Sequence, residues 1–455
     1  MRPNFPDDPD YADCAYEKPF SLVLLKSGLA CSDGASADVL SVIAAATGRK
    51  GASSRSSPPG HQKIPVNSAC SVNNLPDMKH GEICAWHYAT RQPVRLRWQD
   101  GVISHVEPAS PPPPDDLWLA PPLFDLQING FGGVDFQQDN LSGEDLLMAC
   151  RKVRAAGCTR FLLTLITDEW TKLTVRLRHL RALRAQSSEL RSAIAGWHLE
   201  GPFLSSEPGF HGAHDPALMR DPTPEHILEL RSITGNDPLL LTVAPERPGA
   251  IQAIELATRR GIKISLGHSN ASVEVLRQAV TAGATGFTHL GNACGSKLNK
   301  HDNILWRVFE TPGLTASLIP DGIHVSPSLF RAIHRLLGPE RIYYTTDAMS
   351  AAGAPPGRYK IWRYEIVVGA DQVVRQPGGE GLAGSALRPV DGIFRAAEML
   401  NCDWQEVWPR YSETPARLMG LGCRLEPGQP ANFCLLKVAR GNELSDLKVF
   451  AGGPD

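Results

Sequence analysis

The sequence lacks both a large excess of charge and an apolar run long enough to cross a bilayer. Its 455 residues contain 46 Lys and Arg against 48 Asp and Glu, which leaves a formal net charge of -2. Such a chain has no basic field to collect nucleic acid or anionic lipid. A membrane span needs ~20 apolar residues, and a secretory signal peptide begins with positive charge, whereas this chain begins with the acidic MRPNFPDDPD. We therefore expect a cytoplasmic protein, without a nucleic-acid or membrane partner, that recognises its ligand locally.

Closely spaced cysteines are also missing. The 10 cysteines are dispersed along the chain and form no CxxC pair. This spacing argues against a zinc ribbon and against a disulfide framework, and it favours reduced, buried thiols.

Aromatic residues are missing from most of the first segment, because no Phe, Trp or Tyr lies between Phe20 and Trp86. Residues 1–77 are instead rich in Ser, and the stretch ASSRSSPPG interrupts the one short window that could form a helix. A segment of this composition has little with which to build a core. We expect residues 1–77 to be a disordered extension, with a start of translation at Met78 as the alternative.

From residue 117 onward, apolar runs of strand length alternate with windows of helical periodicity. This alternation is typical of repeated βα units and a parallel sheet. The eight candidate strands are LWLAPPLFDLQI, RFLLTLIT, AIAGWHLE, LLLTVAP, KISLGH, GFTHL, LTASLIPD and RIYYTTDA. Eight such units predict an α/β fold with a (β/α)8 TIM-like barrel over residues 117–357.

Strand-like patterns also occur on both sides of this region. Polar and apolar residues alternate over 78–116, and RYKIWRYEIVVGADQVVRQPGG and PANFCLLKV follow the barrel. We expect residues 78–116 and 358–455 to form a small β-sandwich domain, built from both chain ends, with the C-terminal helices between its strands.

Polar side chains stand where several of the barrel strands end. They are Gln127 and Asn129 after the first strand, Glu200 after the third, His268 after the fifth, His289 after the sixth and Asp347 after the eighth. Barrel enzymes carry their chemistry at this end of the strands. A single residue of this kind is usually a helix cap or a satisfied core group, but four ionisable groups at four strand ends favour a common site.

One glutamate and two histidines form a ligand set that suits Zn²⁺ and other divalent ions and leaves a position open for water. A divalent ion with an open position activates water for attack on a carbonyl carbon. A carboxylate beside that water, here Asp347, can take its proton and pass it to a leaving nitrogen. The residues therefore predict metal-dependent hydrolysis of an amide.

Seven motifs then occur in a specific order along residues 78–440. They are HLEGPF (198–203), HGAH (211–214), GHSNAS (267–272), THLGNA (288–293), DGIHV (321–325), TTDAMSAAG (345–353) and LAGSAL (382–387). Together they resemble the N-acetylglucosamine-6-phosphate deacetylases of the amidohydrolase superfamily.

The resemblance implies a role for each matching position. It implies metal ligation by Glu200, His268 and His289, catalysis by Asp347 and His324, and substrate contacts by His214, Asn292 and Ala293. Many amidohydrolases carry HxH at the end of the first strand, where this chain has Gln127 and Asn129. The resemblance to single-metal members implies one divalent ion per chain, with Zn²⁺ as the leading candidate and iron or another divalent ion as alternatives. It also implies that these two amides serve the substrate, unless they merely cap the strand end.

One departure from the family pattern affects the phosphate. The segment in which related enzymes carry a phosphate-binding arginine reads CGSKLNKHDNILWRVFE here, with no arginine in register. Lys297, Lys300, His301 and Arg307 are possible substitutes, with Lys300 and His301 as our candidate contacts. Lysine lacks the bidentate fork that arginine presents to phosphate.

The resemblance implies hydrolysis of an N-acetylated amino sugar, with N-acetylglucosamine 6-phosphate as the leading candidate and glucosamine 6-phosphate and acetate as products. One alternative is the same metal-dependent deacylation of an unphosphorylated or different N-acyl substrate. A second is a catalytically dead barrel that acts as a binding protein. The family also implies a homodimer.

Overall fold

The computed structural model describes residues 79–375 and 381–452. The predictions for residues 1–77 lie outside the described residues. Among the described residues, no helix combines the length and the apolar character that a bilayer span requires.

The first four strands pair with the last two in one sheet. The strands are β1 (His80–His87), β2 (Pro93–Gln99), β3 (Val102–Pro108), β4 (Leu117–Ala120), β18 (Asn432–Ala439) and β19 (Glu443–Ala451), in the order β19-β18-β4-β1-β2-β3. Trp98 of β2 contacts Phe433 of β18 at 5.4 Å between ring centroids, although two strands separate them in the sheet. The sheet is therefore strongly curved, and its inner face encloses a small core of its own. The small β domain made from both chain ends has this sheet as its framework.

Eight parallel strands form the barrel, as the alternating pattern predicts. They are β5 (Leu123–Ile128), β8 (Cys158–Ile166), β9 (Ile194–Glu200), β10 (Leu239–Val243), β11 (Lys263–Leu266), β12 (Gly286–Phe287), β13 (Thr315–Leu318) and β14 (Ile342–Tyr344). A bridge between Ile128 and Ala348 joins the last strand region to the first. A short hairpin, β6 (Gly130–Phe131) and β7 (Val134–Asp135), follows β5.

Helices alternate with these strands and bury their apolar faces in one large core shared with the barrel. They are α1 (Gly143–Ala155), α2 (Trp170–Gln186), α3 (Ser188–Ala193), α4 (Pro224–Thr234), α5 (Ala250–Arg259), α6 (Val273–Thr281), α7 (Ile304–Phe309) and α8 (Pro327–Leu337). Serine side chains begin α1, α6 and α8 by accepting hydrogen bonds from the backbone of the first turn. These caps satisfy N–H groups that have no partner inside a helix.

The predicted first barrel strand is two strands. Leu117–Ala120 pairs with β1 and β18 in the flanking sheet, and only Leu123–Ile128 belongs to the barrel. Pro121 and Pro122 separate the two parts, because proline has no N–H for a sheet ladder. The barrel therefore begins six residues later than residue 117, at Leu123.

The assignment of residues 358–455 to the β domain also needs correction. Strands β15 (Gly357–Ile361), β16 (Tyr364–Val368) and β17 (Val374–Arg375) form a separate sheet, because their apolar side chains pack beside Met349 and Ala383 and not on the flanking sheet. The helices α9 (Pro389–Leu400), α10 (Trp404–Val407) and α11 (Glu413–Leu418) follow. Helices α9 and α10 pack on the barrel core, and the Trp408 indole N–H donates to the Pro121 carbonyl.

The curved sheet provides a stability prediction. Phe433 is fully buried, stacks on Phe450 at 4.4 Å and meets the edge of Trp98. Removing a buried aromatic ring costs ~3–5 kcal/mol through lost transfer free energy and a residual cavity. We expect Phe433→Ala to lower the free energy of unfolding by that amount in chemical denaturation. Leu336→Ala, at a side chain 52% exposed on α8, is the control and should change it by less than ~0.5 kcal/mol.

Candidate functional site

The C-terminal ends of the barrel strands bring three of the predicted residues together. Glu200 is the last residue of β9, and His268 and His289 follow β11 and β12. The Nε2 atoms of His268 and His289 lie 3.2 and 2.5 Å from Glu200 Oε1. All three side chains are buried. Burial alone would raise the pKa of Glu200, but the charge of His289 and hydrogen bonds from His214 and His289 place it well below its ordinary value.

The hydrogen bond of His268 sets which of its nitrogens faces the site. Its Nδ1 lies 3.0 Å from the Phe210 carbonyl, which accepts and therefore requires a proton on Nδ1. The neutral ring then presents the lone pair of Nε2 toward Glu200. A carbonyl behind the second nitrogen is the usual support of a histidine that ligates a metal.

His214 is a fourth neighbour of the same carboxylate. By distance alone, Glu200, His214 and His268 form the group that could hold an ion. However, the Nδ1 atom of His214 is engaged by Thr167, at 2.8 Å from its hydroxyl oxygen and 3.4 Å from its backbone nitrogen. His289 Nε2 lies nearer to Glu200, at 2.5 Å from Oε1, than His214 Nε2 does, at 3.7 Å from Oε2.

Backbone conformation distinguishes the residues that follow the strands. His268, His289 and Asp347 have φ values of 49°, 30° and 50°, in the left-handed region that non-glycine residues seldom occupy. Such strain persists where the surrounding structure fixes it, and it is concentrated at functional sites. The Ser317 hydroxyl accepts the His289 backbone N–H at 2.7 Å, which is one such constraint.

Asp347 is held by two amides at the end of the first barrel strand, Gln127 within β5 and Asn129 directly after it. Gln127 Nε2 and Asn129 Nδ2 donate to Asp347 Oδ1 at 2.9 and 2.7 Å. Burial, and then the negative charge of Glu200, raise the pKa of Asp347 to about 7. The carboxyl group can therefore gain and lose a proton near neutral pH.

His324 points its second nitrogen into the site. Its Nδ1 lies 2.6 Å from Asp321 Oδ2, and Asp321 also accepts the backbone N–H groups of Ile323 and His324. Burial opposes ionisation of Asp321, but these bonds lower its pKa on balance. His324 Nε2 is buried and has no hydrogen-bond partner within the described structure. The sequence analysis missed Asp321, although the Asp-x-x-His spacing of DGIHV was a usable signal.

These groups line a cavity of about 610 Å³. Six of the predicted residues line it together with Glu200, His268 and His289, and most of the other lining residues are apolar. Asn129, His214, Asn292, Ala293, His324 and Asp347 are those six, and Ile166, Leu298, Leu305, Leu329, Ile361 and Leu382 are apolar neighbours. A larger cavity of about 800 Å³ lies by Asp168, Arg176 and Trp362, and none of the predicted site residues lines it.

Three predicted substrate contacts do not line the catalytic cavity. Gln127 uses its amide on Asp347 and does not reach the cavity. Lys300 and His301 are exposed, because their loop turns its charged side chains to solvent. Arg307 is no substitute, since its guanidinium binds Asp302, Asn270 and the Ala271 carbonyl. The cavity lining within the described ranges contains neither Lys nor Arg.

Comparison with known proteins identifies relatives across most of the chain. No family model matches the sequence. The N-acetylglucosamine-6-phosphate deacetylase of Vibrio furnissii is 30% identical over 361 residues, which cover 78% of this chain and 88% of the relative. The N-acetylgalactosamine-6-phosphate deacetylase of Escherichia coli O157:H7 is 32% identical over 348 residues, covering 75% of this chain and 90% of the relative.

A solved structure agrees with these sequence relatives. The N-acetyl-D-glucosamine-6-phosphate deacetylase of Mycobacterium smegmatis has a TM-score of 0.73 and 28% sequence identity, and the match covers 82% of this chain and 99% of that one. The chain belongs to the N-acetylglucosamine-6-phosphate deacetylase family of metal-dependent amidohydrolases.

Proposed function

We propose that this protein removes the acetyl group from N-acetylglucosamine 6-phosphate, giving acetate and glucosamine 6-phosphate. The observation that carries the proposal is the pairing of a buried proton carrier, Asp347, with the cluster of Glu200, His268 and His289 in one cavity. The sugar and its phosphate are those in the name of the relative from Vibrio furnissii. The complete set of reactive groups gives no support to a catalytically dead barrel.

Glu200, His268 and His289 would hold one divalent ion, with Zn²⁺ as the leading candidate. The residues fit such an ion, because Glu200 is ionised and the Nε2 lone pair of His268 faces it. When bound, a divalent ion polarises the acetyl carbonyl and makes its water more acidic. Gln127 and Asn129 direct their amide N–H groups at Asp347, so they are unsuited to bind a second ion through those atoms.

Asp347 would move the proton that amide cleavage requires. Its carboxylate takes a proton from the attacking water as the new C–O bond forms, and then gives that proton to the nitrogen as the C–N bond breaks. A pKa of about 7 suits both transfers, since a general base and acid is most effective near the working pH. The two amide donors on Oδ1 fix the direction of the carboxylate.

His324 would contact the acetyl group through Nε2. Asp321 orients the ring through Nδ1. An Nε2–H bond from the ring to the oxygen on which negative charge develops would stabilise the transition state, and such bonds are strong inside a cavity that excludes water. His214, Asn292 and Ala293 would contact the sugar, because they line the same cavity.

The homodimer that the family resemblance implies and the cytoplasmic location that the sequence predicts are parts of this proposal. The exposed loop that carries Lys300 and His301 adjoins the cavity, because Cys294, Ser296 and Leu298 of the same loop line it. A second copy could cover this loop. Light scattering after size-exclusion chromatography measures the oligomeric state directly.

The first activity prediction concerns Asp347. We expect Asp347→Asn to reduce turnover of N-acetylglucosamine 6-phosphate by ~10² or more, because the amide cannot carry the proton. Elemental analysis should find close to one divalent ion per chain in Asp347→Asn and in the unaltered protein. Asp446→Asn, on β19 of the flanking sheet, is the matched control and should keep normal turnover. Near-normal activity in metal-loaded Asp347→Asn would contradict the mechanism, and two ions per chain would contradict the single site.

The second activity prediction concerns the phosphate. With no Lys or Arg in the described cavity lining, we expect kcat/KM for N-acetylglucosamine 6-phosphate to exceed that for N-acetylglucosamine by ~10²-fold or less. Lys300 lies outside the lining but on the loop that adjoins it, so the loss of its charge in Lys300→Gln should lower only the value for the phosphorylated sugar, by about threefold or less. Lys263→Gln, at the opposite end of the barrel, is the control.

Two further outcomes of this comparison are informative. A ratio above ~10⁴ would mean that a cation outside the described lining binds the phosphate, for example one from a second copy. Assay of N-acetylgalactosamine 6-phosphate beside the gluco sugar tests which epimer is preferred, since a relative is named for each.

A further inference from the structure

A further carboxylate lies beneath the site, in the interior of strand β5. Asp125 is completely buried, and no role has been given to it so far. Its two oxygens accept five hydrogen bonds. The donors are the Gln127 N–H (3.0 Å), the Thr345 hydroxyl (2.5 Å), the Thr346 N–H (3.0 Å), the Thr346 hydroxyl (2.6 Å) and the Tyr411 hydroxyl (2.6 Å).

Asp125 belongs to a series of three alternate residues. Residues 125, 127 and 129 are two positions apart, and hydrogen bonds direct all three side chains at residues 345–347, although β5 is irregular between Asp125 and Ile128. Asp125 binds Thr345 and Thr346, and the next two, Gln127 and Asn129, bind the carboxylate of Asp347. One strand therefore holds three successive residues of the segment that carries Asp347.

The hydrogen bonds of Asp125 compensate in part for the burial of its carboxyl group. Burial raises the pKa of Asp125, and the bonds from Thr345, Thr346, Tyr411 and Gln127 oppose that rise. A buried carboxylate that loses a donor lowers the stability of the fold. The five donors are therefore held in place together. The constraint extends to Asp347, whose φ of 50° requires support from its surroundings.

We propose that Asp125 is a positioning residue for the reaction, which fixes the Thr345–Thr346 backbone and thereby aims the Asp347 carboxylate at the substrate. The inference rests on the proposed function, because that function gives Asp347 its task. Tyr411 links Asp125 to the C-terminal helices, because its hydroxyl donates to Asp125 from the 3-10 turn Trp408–Tyr411. Misplacing a catalytic group by about 1 Å costs up to ~10²-fold in rate.

Tyr411→Phe tests this assignment, because it removes one donor to Asp125 and keeps the aromatic ring. Tyr344→Phe is the matched control. Both tyrosines are fully buried, their rings are 6.3 Å apart, and the Tyr344 hydroxyl bonds to His334 instead of Asp125. We expect Tyr411→Phe to lower kcat about tenfold with KM and metal content unchanged, and Tyr344→Phe to keep the kcat of the unaltered protein.

A second pair separates positioning from a general loss of stability. Thr346→Val removes the hydroxyl donor to Asp125 and keeps the branched shape, whereas Thr346→Ser keeps the donor. We expect kcat to fall in Thr346→Val and to recover in Thr346→Ser, with melting temperatures and KM measured for each. The inference is overturned if Tyr411→Phe has the same kcat as Tyr344→Phe and Thr346→Val has the same kcat as Thr346→Ser. If Asp347→Asn remains active, the proposed function fails instead, and the two failures are therefore distinguishable.

Discussion

The site depends on one buried negative charge, that of Glu200 at the end of β9. A carboxylate in the closed mouth of a barrel is costly unless nearby groups compensate it. His289 and His268 do so directly, at 2.5 and 3.2 Å, and an ion bound among the three would do so more strongly. The same charge raises the pKa of Asp347, after the effect of burial itself. In the proposed mechanism, metal affinity and proton transfer would therefore be coupled through a single side chain.

The barrel and much of its site could be predicted because they follow from local patterns. Each buried parallel strand is a short apolar run, and a parallel barrel places all its strand ends on one face. Glu200, His268 and His289 are therefore close in space although they are far apart in sequence. The sequence contains the proline that splits the first strand, Pro121, but this proline lies inside an apolar run that has the pattern of a single strand.

Other features depend on tertiary structure that no local pattern shows. Gln127 and Asn129 are both amides near one strand end, yet only Asn129 reaches the cavity. Lys300 and His301 were predicted from their charge, but loop geometry directs them to solvent. Strands β15 to β17 alternate like those of the flanking sheet and nevertheless form a separate sheet. Side-chain direction in loops and the choice of pairing partner are set by packing, which spacing does not reveal.

The pairing of β4 with β18 has a consequence for how the chain acquires its structure. Leu119 lies opposite Leu435, so the two strands are separated by nearly the whole barrel in sequence. Contacts of such long range form slowly, because a long loop must close before they stabilise the chain. During synthesis from the N-terminus, the edge of β4 that pairs with β18 stays unpaired until the last strands have been made. An unpaired strand edge is a template for association with other chains. The flanking sheet is thus the part of the molecule most exposed to misassembly before the chain is complete.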